Sequence, residues 1–163
     1  DGVVRALEGE GLSCDPYALS GWAVACTGSE FCNWALTETK RLVCELVQHL
    51  EKIVTLDDTV RIHISGCPNG CGQHQIGDIG LQGRLITSNG AKVEAYDIWL
   101  GAQFGSNPRF ARPTARKVPA DQVKLCLERL LRYYTASKAP DDTFGEFVQR
   151  HTTEGLSAAM GVS

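Results

Sequence analysis

The sequence predicts a mixed α/β domain of the α+β type. Three observations predict it. A short apolar run and an alternating run, each ending on a cysteine, are separated by one long amphipathic pattern. An Asn-Gly pair divides two further strand-like segments. A second amphipathic pattern then closes the chain.

The elements follow in order. Residues 1–20, with Gly9, Gly11 and Pro16 and no sustained period, read as an irregular extension. Trp22 to Ala25 reads as a short buried strand ending at Cys26. Ala35, Thr39, Leu42, Val43, Leu46, Val47 and Leu50 recur at spacings of three and four, predicting a helix from Asn33 to Lys52. Such a helix can return the chain so that two parallel strands lie side by side. Val60, Ile62 and Ile64 alternate with Arg61, His63 and Ser65, which predicts a half-buried strand with His63 in solvent.

Gly66 to Gly72 is a tight loop. Ile79–Thr87 and Lys92–Leu100 are strands joined at Ser88-Asn89-Gly90, because Asn-Gly tolerates positive φ. Arg109 to Lys117 is basic and irregular, with room for a short edge strand. Pro119 suits the first position of a helix whose apolar face is Val123, Cys126, Leu127, Leu130, Leu131 and Tyr134. Thr143 and Glu146 fit a capping box for a last helix through Arg150. The domain is thus expected over 21–150, with 151–163 a frayed tail.

The 163 residues suffice for one core. A net charge of −3 gives no reason to expect nucleic acid or a membrane surface as partner. No apolar run is long enough to span a bilayer, and no signal peptide is visible. The first residue is Asp, so the chain is expected to begin inside a longer polypeptide. Seven cysteines is an odd number and suits no closed disulfide framework. A cytoplasmic setting, where clustered cysteines serve metals or catalysis, is the expectation.

Cys26 and Cys32 form C-x5-C, and Cys67 and Cys71 form C-x3-C. Both pairs follow the C-terminal ends of strands, where ligand sites gather in open α/β sheets. Cys32, read as standing before the helix, would have its thiolate favoured by the helix dipole. Gly28, Gly66, Gly70 and Gly72 let backbone N–H groups approach sulfur. Two loops of unequal length suit a cubane cluster. Zinc remains an alternative, although its knuckles run from C-x2-C to C-x4-C. Buried apolar cysteines are the other alternative, and that reading is taken for Cys44 and Cys126, with Cys14 inert.

At these residues the sequence resembles the ferredoxin-dependent nitrite and sulfite reductases. Ala25-Cys26-Thr27-Gly28-Ser29-Glu30-Phe31-Cys32, with Ala35 and Glu38-Thr39-Lys40, resembles the family's first cluster motif. Gly66-Cys67-Pro68-Asn69-Gly70-Cys71-Gly72-Gln73 resembles the second, and Asp78-Ile79-Gly80 with Gly83 the segment after it. The resemblance implies a mixed five-stranded sheet with helices, and a [4Fe–4S] cluster joined to sirohaem through one cysteine sulfur. By motif position Cys71 is that shared ligand. Cys26, Cys32 and Cys67 bind the cluster only, and Asn69 lies near the macrocycle's carboxylates.

The resemblance further implies a C-terminal part of an enzyme that takes nitrite to ammonia with six electrons from ferredoxin or a similar donor. Sulfite reduced to sulfide is the alternative, and a non-catalytic metal-binding or apo fragment is another. Either enzyme would work in the cytoplasm, or in the plastid stroma of a plant. The family's anion-binding Arg and Lys belong to the N-terminal half of the same enzyme, so no catalytic residue is assigned in this chain.

The remaining residues take the plainer readings. His74 is a satisfied loop histidine, and Trp22 and Trp34 are core residues. Arg109, Arg112, Arg116 and Lys117 form a solvated face, with docking of an acidic ferredoxin as the sharper alternative.

Overall fold

The structure, a computed structural model, describes residues 2–12, 14, 18–105 and 107–162. Pro16, part of the expected irregular start, lies outside them. The described elements are α1 (Gly2–Gly9), a 3-10 turn (Ser20–Trp22), β1 (Val24–Ala25), α2 (Lys40–Ile53), β2 (Ile62–Ser65), β3 (Ile79–Ser88) and β4 (Ala91–Leu100). They continue with β5 (Arg112–Pro119), α3 (Ala120–Ser137), α4 (Phe144–Gln149) and α5 (Thr153–Met160).

The five strands form one mixed sheet in the order β1-β2-β3-β4-β5. β1, β2 and β3 run parallel, and β3–β4 and β4–β5 are antiparallel. The α+β class and the five-stranded mixed sheet expected from the sequence are both present. Ile62, Ile64, Ile79, Leu81, Ile98 and Leu100 are fully buried and join one core with Leu46 and Leu50 of α2 and with Val123, Leu127, Leu130 and Leu131 of α3. Asn89 and Gly90, both at positive φ, close the β3–β4 hairpin as the Asn-Gly pair predicts.

The opposite face of the sheet is polar yet also buried: His63, Ser65, Gln82 and Asp97 lie there out of solvent. The connection from β2 to β3 covers it. Ser65 Oγ accepts the Gly72 N–H, and His63 Nδ1 lies 3.2 Å from the Gln73 carbonyl. β2 is therefore buried on both faces rather than half-buried, and His63 is not in solvent. The alternation along the strand is real, but its polar side meets a loop instead of water.

Several boundaries differ from the sequence reading: the strand read at Trp22–Ala25 is only Val24–Ala25, and the basic segment read as irregular carries the eight-residue strand β5. Residues 2–9 form helix α1, which buries nothing, in place of an irregular extension. Helix α2 starts at Lys40 and not at Asn33, because the backbone before it is committed elsewhere: Leu36 and Thr37 both donate to Gly66 O. Glu38 caps α2 by accepting from the Arg41 and Leu42 N–H groups. Pro119 ends β5 and caps α3 instead of entering it. The tail is not frayed. Thr152 caps α5 through the Gly155 N–H, and Leu156 and Met160 are fully buried in the core. The capping box of Thr143 and Glu146 on α4 forms as expected.

Candidate metal centre

The parallel register pairs Ala25 with Ile64, and the Cys26 N–H extends that ladder to Ile64 O at 3.0 Å. Cys26 thus leaves β1 beside the point where Gly66 and Cys67 leave β2. The Gly66 N–H donates to Cys26 Sγ at 3.1 Å. A backbone donor aimed at sulfur stabilises a thiolate and tunes any cluster it holds.

The two cysteine loops interlock at Gly66. Its carbonyl accepts from Leu36 N–H at 2.7 Å and Thr37 N–H at 3.1 Å. Within the first loop, Cys32 N–H donates to Gly28 O and Ser29 N–H to Thr37 O. Thr39 Oγ1 donates to Cys26 O at 2.6 Å, and the Tyr96 hydroxyl donates to Glu38 O. Cys32 therefore lies in this turn, well ahead of α2, and the helix-dipole argument for its thiolate falls. What replaces the dipole is a loop whose shape is fixed by hydrogen bonds to the other loop.

The second loop is equally constrained. A side chain at Gly72 would place its Cβ 1.9 Å from Ile64 O, so only glycine lets the loop lie this close to β2. At Gly28, φ is +75° and a Cβ would sit 2.7 Å from Thr39 Oγ1. Cys67 is buried at 8 % exposure, Cys26 and Cys32 are half-buried, and Cys71 is exposed along with Asn69. All four thiols are free. Among the described residues no three His, Cys, Asp or Glu side chains are grouped so as to grip one metal ion. The donor chemistry here is four free thiols on two interlocked loops, one of them accepting a backbone N–H, and thiolates are the ligands that hold iron–sulfur clusters.

Around this edge the sequence readings divide. His74 is fully buried but only half satisfied: Nδ1 lies 3.0 Å from Ser65 Oγ, and Nε2 has no partner. Burial, helped by the charge of Arg84, pushes its pKa down to about 4. His63 is also lowered, by burial first. Trp22 and Trp34 are not core residues; they are 50 % and 78 % exposed. Phe31, beside Cys32, is exposed too. Cys126 is in the core, where burial raises its thiol pKa, but Cys44 and Cys14 are exposed.

The basic run is mixed in role. Arg112 is structural, donating to the carbonyls of Val148 and His151. Arg116 is exposed and 3.7 Å from Asp97. Sequence reasoning missed Ser65, Thr39 and Tyr96. The parity of β2 could have found Ser65, whereas Thr39 and Tyr96 act through contacts that no local pattern announces. A recess of about 760 Å³ between Arg61, Phe104 and Arg150 opens at the N-terminal ends of β2 and β3, away from the cysteines.

A mixed sheet with two interlocked cysteine loops at the ends of parallel strands defines a class: an α+β domain with paired cysteine loops at one end of its sheet. Residues 22–162 match the family described as the nitrite and sulphite reductase 4Fe-4S domain, and the chain belongs to that family. It is 39 % identical over 122 residues to the ferredoxin–nitrite reductase of Leptolyngbya laminosa, covering 75 % of this chain and 24 % of that protein. It is 32 % identical over 163 residues to the ferredoxin sulfite reductase of Mycobacterium tuberculosis, covering 96 % of this chain and 29 % of that one. The solved structure of the Mycobacterium tuberculosis NirA protein superposes with a TM-score of 0.84 at 30 % identity, over 96 % of this chain and 30 % of NirA. The chain thus spans less than a third of the length of these relatives.

Proposed function

We propose that this chain is the cluster-bearing part of a ferredoxin-dependent enzyme that reduces nitrite to ammonia, with Cys26, Cys32, Cys67 and Cys71 as cluster ligands and Cys71 shared with sirohaem. The observation that carries the reading is the interlock of the two cysteine loops at Gly66, whose N–H donates to Cys26 Sγ. When bound, the cofactor pair would supply electron storage and an open iron position for the anion.

The chain's own residues shape and present the ligands. Gly66 N–H withdraws charge from the Cys26 sulfur, which favours the reduced state of whatever that sulfur binds. Cys67 is enclosed and Cys71 is at the surface, so Cys71 is the thiol that a second group can reach from outside the chain. The exposed Asn69 amide stands on the same turn and can donate to a carboxylate there. The anion-binding cations are assigned to the N-terminal half of the same enzyme, and the electron donor is ferredoxin.

Nitrite is placed first on the Thr27-Gly28-Ser29-Glu30-Phe31-Cys32 motif with Glu38-Thr39-Lys40, and on the 39 % identity above. Sulfite is the second reading, favoured by the sulfite reductase match over 96 % of this chain. No described helix is long and apolar enough to cross a membrane. We place the enzyme in the cytoplasm, or in the plastid stroma of a plant.

The test is Cys71→Ser in the full-length enzyme, followed by absorption and by turnover with nitrite and with sulfite. The expected result is loss of the coupled sirohaem spectrum and of reduction with both anions. Wild-type spectra and turnover in this variant would overturn the assignment. In the wild type, the anion with the higher kcat/KM decides between the two readings.

A further inference from the structure

Beneath the loop that carries Cys71 lies a buried polar pair that the cluster ligands do not include. Ser65, 1 % exposed, ends β2 on the polar face of the sheet. His74, 0 % exposed, follows the second cysteine motif. Their contact is 3.0 Å from His74 Nδ1 to Ser65 Oγ. The same Ser65 oxygen accepts the Gly72 N–H at 3.1 Å, the amide next after Cys71.

The imidazole also reaches up under the loop. The position of a Cβ on Gly70 is 3.7 Å from His74 Cε1. Edge-on, at a centroid distance of 5.2 Å, the ring meets Trp99. His74 and the Gln75 side chain thus lie against Gly70 of the Cys67–Cys71 loop, and Ser65 ties His74 to the peptide joining Cys71 to Gly72.

Ser65 Oγ is the shared centre of the pair: it accepts the Gly72 N–H and is hydrogen-bonded to His74 Nδ1. With the ring's hydrogen on Nε2 the Ser65 O–H donates to Nδ1; with it on Nδ1 the Ser65 oxygen accepts from the ring as well. In either tautomer one serine oxygen joins the imidazole to the amide after Cys71.

We propose that His74, acting through Ser65, is a positioning residue for Cys71: the pair sets the orientation of the peptide that carries the shared thiolate. The inference rests on Cys71 being a cluster ligand. Partners of this kind, one bond removed from a ligand, govern metal retention and potential even though they never touch the metal.

The experiment uses the full-length holoenzyme and three variants: Ser65→Ala, His74→Phe and His74→Asn. The readouts are the rate of cluster bleaching by an iron chelator, the cluster's midpoint potential and hydrogen exchange at the Gly72 amide. Ser65→Ala and His74→Phe are expected to bleach roughly tenfold or more faster than wild type. Both should shift the potential in the same direction and speed Gly72 exchange. The amide of His74→Asn offers both an acceptor oxygen and N–H donors in place of Nδ1, so that variant is expected to recover most of the wild-type behaviour.

Ser65→Ala removes one oxygen and leaves the core intact, so it reports even where His74→Phe does not fold. Wild-type bleaching, potential and Gly72 exchange in Ser65→Ala would overturn the inference. So would a His74→Asn variant no better than His74→Phe. Gly72 exchange reports on the loop with or without iron. A wild-type enzyme whose Gly72 amide is protected but which binds no cluster would sink the ligand assignment, not the loop geometry.

Discussion

At the scale of single residues, His74 links the sheet to pH. Burial drives its pKa from the ordinary 6.5 down to about 4, with Arg84 adding to the shift and Asp97 opposing it. Between those values the unfolded chain binds a proton that the folded chain refuses. Stability from this group is therefore complete above pH 6.5, falls as pH drops through the window, and is gone below about 4. The total is on the order of 3 kcal/mol. His63 is shifted in the same direction by burial and steepens the loss. The expected outcome is that urea midpoints fall between pH 6.5 and about 4, and that His74→Asn flattens part of this slope. An unchanged slope would show that His74 titrates alike in the folded and the unfolded chain.

At the scale of elements, α5 decides where the domain ends. Leu156 and Met160 are fully buried, Ser157 Oγ donates to Thr114 O at 2.7 Å, and Gly161 at φ +75° closes the helix. The helix is thus keyed to β5 by a hydroxyl-to-carbonyl hydrogen bond as well as by apolar contact. Leu156→Ala is expected to cost about 2–5 kcal/mol, read as a lowered melting temperature. A cost below about 0.5 kcal/mol would mean that the segment is the loose tail its composition suggests.

The mismatch between that composition and the buried helix has a physical cause. Two apolar residues among Thr, Glu, Gly, Ser and Ala make too weak a period to announce a buried face. The opposite error arises at α2, where Ala35 falls in step with Leu42 and Leu46 by coincidence while its backbone is held by the cysteine loops. By contrast, the Asn89-Gly90 hairpin and the Thr143 capping box are legible because each depends on side chains and backbone within a few residues. The cysteine motifs are legible for the same reason. Their enclosure by Thr39, Tyr96 and Ser65 is not, because it depends on which strands become neighbours.

At the scale of the whole molecule, one edge is unfinished. Trp34 at 78 % and Phe31 at 75 % exposure flank Cys32 there. The apolar pattern alone places Trp34 in the core, since such rings bury more area than any other side chain. Aromatic rings left open on a folded surface mark a surface that another protein part covers. The chain spans 24 % of the Leptolyngbya relative and 30 % of NirA, so the remaining length offers that cover in the proposed enzyme. Two consequences can be separated. Because Trp34 packs on little in this chain, Trp34→Ser is expected to change its own unfolding free energy by less than about 0.5 kcal/mol. In the full-length enzyme the same substitution should expose the junction, raising the rate of limited proteolysis between the halves and weakening cofactor retention. A large loss of stability in the isolated chain, or no change at the junction in the full-length protein, would show that the ring serves this domain alone.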